Sequence, residues 1–135
     1  MLAVGLDPSF GDNGIVTTNL GVRPSSDYAQ DVVAVQPNGK ILVAGYGGEH
    51  DFIVTRHNAD GSFDPTFGSD GIASIDIAAS QDWAHAIAVD ANGKIVLAGR
   101  SSGPDFSVVR LNTDGSLDTS FDGDGKVTID FGGSD

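Results

Sequence analysis

The stretch Asn58-Ala59-Asp60-Gly61-Ser62-Phe63-Asp64 sets oxygen-bearing side chains around a glycine, and it returns as Asn112-Thr113-Asp114-Gly115-Ser116-Leu117-Asp118. Oxygen ligands at alternate positions, with a glycine where the chain doubles back, are what a hard cation such as calcium needs. Asn58, Asp60, Asp64, Asn112, Asp114 and Asp118 are therefore candidate calcium ligands. The position that should supply the first carboxylate of such a loop is Arg56 or Arg110. A guanidinium there competes with the ion. The alternative is an Asp-Gly turn whose carboxylates cap backbone amides and pair with that arginine.

Other chemistry-bearing residues are sparse. Arg56 and Arg110 each follow an aspartate, Asp51 or Asp105, and their recurrence points to an ion pair joining neighbouring units. The three histidines, His50, His57 and His85, do not recur in the other copy. Cysteine is absent, Glu49 is the single glutamate, and no serine sits in a nucleophile elbow. A general acid–base pair would have to come from aspartates already committed to turns, so no catalytic residue is expected. The copies diverge at Tyr46 to His50 against Arg100 to Pro104, which makes Tyr46, Glu49, His50 and Arg100 candidates for a binding loop. Tyr28 and Trp83 each follow an aspartate, and packing between units suits them better than ligand stacking.

Net charge is −12, and 18 of the 19 acidic residues are Asp. A helical protein would favour Glu; Asp with 19 glycines reads as turn chemistry. The charge repels phosphate backbones, and no Lys/Arg cluster offsets it, so nucleic acid is excluded as a partner. Apolar runs are too short for membrane insertion, and no signal peptide is visible. The chain is then cytosolic or its leader is missing.

The elements that must position these groups come from repetition. Asn38-Gly39-Lys40-Ile41-Leu42-Val43-Ala44-Gly45 returns 54 positions later as Asn92-Gly93-Lys94-Ile95-Val96-Leu97-Ala98-Gly99. Residues 37–64 and 91–118 share 15 of 28 positions, too many for chance. Asn-Gly before an apolar run predicts a type I′ hairpin in each copy. A third strand starts at Asp51 and Asp105. The motif Leu6-Asp7-Pro8-Ser9-Phe10-Gly11-Asp12-Asn13-Gly14 recurs at Phe63 to Gly71 and Leu117 to Gly125, each followed by a closing strand: Ile15 to Leu20, Ile72 to Ile77 and Lys126 to Phe131. Four short strands per unit of about 50 residues predict β-propeller blades that must stack. A β-solenoid is the runner-up. The expected class is all-β: one repeat domain over 1–135, with a partial repeat at 6–26 and full repeats at 27–78 and 82–131. Ile41, Val43, Phe52, Ile95, Leu97 and Phe106 are the expected core.

Laid out in this way, "NGKILVAG" with "NGKIVLAG", "DFIVTRHNADGSFD" with "DFSVVRLNTDGSLD", and "FGDNGIVT", "FGSDGIAS" and "FDGDGKVT" resemble the delta-60 repeat family over nearly the whole chain. The resemblance implies β-propeller blades and an extracellular or cell-surface bacterial setting, and it implies no activity. Members usually string many repeats together, whereas this chain has two full ones. Two blades cannot close a ring, so the expected partners are copies of the same chain. A non-catalytic module that self-assembles head-to-tail is the main expectation, in a closed ring of about three or four chains to reach the usual blade number. A filament, a fragment of a longer propeller, and a segment binding calcium, carbohydrate or a protein ligand are the alternatives. No obligate cofactor is expected.

Overall fold

A computed structural model describes residues 5–18, 20, 28–47, 51–78, 81–101, 105–130 and 132. Among them the regular structure is eight strands: β1 (Tyr28–Val35), β2 (Ile41–Gly47), β3 (Asp51–His57), β4 (Ile72–Ile75), β5 (Asp82–Val89), β6 (Ile95–Ser101), β7 (Asp105–Leu111) and β8 (Lys126–Ile129). They form two four-stranded sheets, β1-β2-β3-β4 and β5-β6-β7-β8, and neighbouring strands run antiparallel. Within each sheet every strand pairs with the next in sequence, which is the meander of a propeller blade. No helix occurs among the described residues, so none crosses a membrane.

Two local expectations are corrected. Gly39 (φ 82°) and Gly93 (φ 79°) have positive φ, but Asn38 and Asn92 do not, so the hairpins are not type I′. In each, the loop has three residues. Gln36 N–H donates to the Lys40 carbonyl and Gly39 N–H to the Gln36 carbonyl, and Asp90, Lys94 and Gly93 repeat both bonds. This is a type I turn closed by a left-handed glycine. In the first copy Pro37 holds the opening φ negative, which leaves the positive angle to the glycine.

The second correction concerns Ile15 to Leu20. Among its described residues it forms no strand, and Ile15 makes a bridge to Asp12. In both blades the closing strand is hydrogen-bonded to the third, through Thr55↔Ile72 and Val109↔Lys126. No strand precedes Ile15 among the described residues, so the third-to-fourth strand ladder of the two blades is not repeated there.

The core lies between the sheets. Leu42, Ala44, Phe52, Val54, Ala73 and Ile75 of the first form one buried cluster with Ala84, Ile95, Leu97, Val109 and Leu111 of the second. Side chains of a strand alternate between faces, so each sheet offers one face to this cluster and one away from it. Of the expected core, Phe52, Ile95 and Leu97 are fully buried. Ile41 and Val43 are half-buried on the first sheet's outer face, over which the N-terminal segment lies. Phe106 is not core: it is 58% exposed. It holds the register position of Phe52, but on the second sheet's outer face, which no third sheet covers among the described residues.

Candidate functional site

Successive units meet through one repeated joint. The closing loop after β3 sends Gly68 N–H to the Asp114 carbonyl of the next unit at 2.7 Å, and Gly11 N–H reaches the Asp60 carbonyl in the same way at 2.8 Å. A phenylalanine ring backs each bond. A Cβ on Gly115 would stand 2.9 Å from the Phe67 ring, and one on Gly61 would stand 3.2 Å from the Phe10 ring. Both glycines also have φ of 88°, so the Asp-Gly turn needs glycine for backbone angle and for space.

Behind the joint sits an ion-paired carboxylate. Asp64 is buried, and its Oδ2 accepts from Lys40 Nζ at 2.5 Å and Arg56 Nε at 2.6 Å. Its Oδ1 accepts from Thr66 N–H and Oγ1. Burial alone would raise this carboxyl; the hydrogen bonds from Lys40, Thr66 and Arg56 outweigh it and hold the group well below the usual carboxylate range. Asp118 repeats the arrangement with Lys94, Ser120 and Arg110, and is likewise held low, chiefly by Lys94. The arginine ion pair is thus made within a blade, to Asp64 or Asp118, and does not join blades as expected. What crosses to the next blade is a hydrogen bond, from Arg56 to the Thr113 carbonyl, while the guanidinium lies over the Phe67 ring, 4.6 Å from its centroid.

The remaining candidate cation ligands belong to the same turns. Asp60 Oδ1 accepts from Ser62 N–H and Oγ, and Asn58 Nδ2 donates to Ser62 Oγ and the Phe63 carbonyl. Asp114 and Asn112 make the same bonds around Ser116. The serine bonds lower both aspartates, the side-chain bond most. Protein donors therefore serve both oxygens of Asp64 and Asp118 and the Oδ1 of Asp60 and Asp114.

Of the binding-loop candidates, Tyr46 and Arg100 converge on Trp83. Tyr46 meets it edge-on across the seam at 6.0 Å, and the Arg100 guanidinium stacks over it at 3.8 Å. Trp83 therefore packs between units. Glu49 and His50 lie outside the described residues. Among the histidines, His57 is buried, stacked on Phe63 and bonded to Thr55 Oγ1 and the Gly61 carbonyl, whereas His85 is exposed. Between the N-terminal segment and the first sheet is a cavity of about 520 Å³, lined by Phe10, Val16, Val43, Tyr46, Ile53 and His57 among others.

At the far face of the second sheet the joint is repeated, with no following unit among the described residues. Phe121 carries the Arg110 guanidinium as Phe67 carries Arg56. Ile129 is 41% exposed, where Ile75 is 4% exposed. Two signals for the joint were overlooked in the sequence: Phe10, Phe67 and Phe121 recur at one position of all three closing loops, and Lys40 and Lys94 stand at a fixed 24 residues before their aspartates.

Four-stranded meanders stacked face to face through a repeated joint define this as a protein built of β-propeller blades. Residues 36–67 and 91–121 match the family model described as "Domain of unknown function (DUF5122) beta-propeller". These two segments support a β-propeller repeat family. A comparison with curated proteins gave no match.

Proposed function

We propose that this β-propeller repeat domain is a non-catalytic interaction module whose second blade docks a further unit of the same repeat, supplied by another copy of the chain. The observation that carries the reading is the outer face of the second blade: Phe106 and Ile129 are 58% and 41% exposed, where Phe52 and Ile75, covered by a following blade, are 0% and 4% exposed. Apolar ground of this kind marks an interaction surface, and the first seam supplies a template for what fits it. The most perturbed carboxylates, Asp64 and Asp118, recur in both blades inside ion pairs, which favours architecture over catalysis. Head-to-tail docking requires a neighbour's Asp60-Gly61 turn, which its own Phe10 and Gly11 occupy, so assembly exchanges the N-terminal segment for the incoming blade. A ring or a filament follows according to whether the rotation closes. A setting outside the cell belongs to the same proposal, on the strength of the family resemblance.

Light scattering behind size exclusion tests it. The expected result is a concentration-dependent mass of several chains, lost in Phe106→Asp with the fold intact. A stable monomer at micromolar concentration overturns it. A second reading, a ligand-binding segment for a carbohydrate or similar small molecule, rests on the cavity beside Tyr46; sugar titration followed by Trp83 fluorescence tests it.

A further inference from the structure

Three carboxylates meet at the seam between the blades. Asp51 opens β3, Asp76 follows β4 and Asp82 opens β5. One carboxylate oxygen from each lies within 4.8 Å of the others. Asp82 is fully buried; its Oδ2 accepts from the N–H groups of Ile77 at 2.9 Å and Ala78 at 3.3 Å, and its Oδ1 has no hydrogen-bond partner among the described residues. Ser74 Oγ donates to Asp51. Among the described residues no Lys or Arg pairs with any of the three. Lys126 Nζ comes near, but it donates to the main-chain carbonyl of Asp76. An unpaired oxygen on a buried carboxylate beside two further acids is costly unless a cation or a proton answers it.

We propose that Asp51, Asp76 and Asp82 form a divalent-cation site of the calcium class that clamps the first blade to the second. Calcium–oxygen distances of about 2.3–2.6 Å put ligands on opposite sides of the ion roughly 4.6–5.2 Å apart, whereas the shorter bonds of magnesium allow only about 4.2 Å. The three oxygens lie within 4.8 Å of one another, inside the reach of a single calcium ion. Two ligands come from one blade and the third from the next, so the ion ties together surfaces that packing alone must otherwise hold. Burial, and then the charges of Asp76 and Asp51, raise the Asp82 carboxyl when no cation is bound, so the ion and the proton compete for it. The site is distinct from the Asp-Gly turns and does not depend on assembly between copies.

Trp83, the single tryptophan, adjoins Asp82 and serves as an antenna for terbium(III) luminescence. On the full chain at neutral pH, the expected result is saturable terbium emission at one ion per chain, displaced by calcium with a midpoint on the order of 0.1–1 mM. Calcium also raises the melting temperature. Asp82→Asn and Asp76→Asn each weaken binding by about tenfold or more through the lost ligand charge, while Asp60→Asn leaves it unchanged. Asp76 is exposed, so its variant retains the fold, checked by circular dichroism, even where Asp82→Asn does not. No displacement by calcium, undiminished binding in Asp76→Asn, or loss of binding in Asp60→Asn overturns the proposal; the first of these assigns the site to a protonated Asp82.

Discussion

The two blades have nearly the same strands, turns and ion pairs, yet they differ in what their outer residues touch. Phe52 and Phe106 occupy equivalent places, paired across to Tyr46 and Arg100, and to Ile75 and Ile129. One is sealed and the other is 58% exposed. The Arg56 and Arg110 side chains differ in the same sense, 8% against 27% exposed. Burial in this protein is therefore a property of the seam, and a blade without a follower keeps its shape while its apolar face stays wet.

The largest test of that contrast removes the two rings. Phe52→Ala should cost about 3–5 kcal/mol by leaving a cavity at the seam, and Phe106→Ala in the monomeric state under about 1 kcal/mol. Chemical denaturation measures both; equal losses would mean that the second ring is covered. Next comes the buried carboxylate. Asp64→Asn removes the acceptor charge for Lys40 and Arg56 and should cost roughly 1.5–3 kcal/mol, with Asp118→Asn losing less because its arginine is wetter. Similar losses from the two would make the pairs independent of stacking.

A smaller effect is expected at the turns. Gly115→Ala meets positive φ and the Phe67 ring together, whereas Gly123→Ala meets positive φ alone, with nothing within 4 Å. The first should lower stability by about 1–2 kcal/mol and the second by about 1 kcal/mol or less, read from thermal midpoints. The smallest difference between blades is expected in acid. Asp64 and Asp118 are both held below their unfolded value, so their contribution is present above about pH 4 and is lost as pH falls through the lower native values. Denaturation midpoints measured on descending pH should drop in that window for the wild type and drop less in Asp64→Asn.

Much of the fold was legible from local pattern. Asn-Gly and Asp-Gly turns between alternating apolar runs locate all eight strands, because turn geometry and side-chain alternation act over a few residues. The Asp-Gly turns were legible as possible cation loops; the lysines that reach Asp64 and Asp118 lie 24 residues away, beyond local spacing, and only their recurrence signalled them. The Asp51, Asp76 and Asp82 cluster was hidden for the same reason. Each of those aspartates begins or follows a different strand, and their proximity exists only once β3, β4 and β5 are packed.

The amino-acid sequence by itself determined the blade: which residues form strands, where the chain turns, and which side chains alternate between the two faces. The tertiary structure decided which of those faces is core. Alternation makes Phe52 and Phe106 equivalent, and local forces cannot separate them; the hydrophobic effect acts on area removed from water, and only stacking of one sheet on the next removes it. The same stacking decided that Arg56 sends a hydrogen bond across the seam while Asp64 holds it within its own blade.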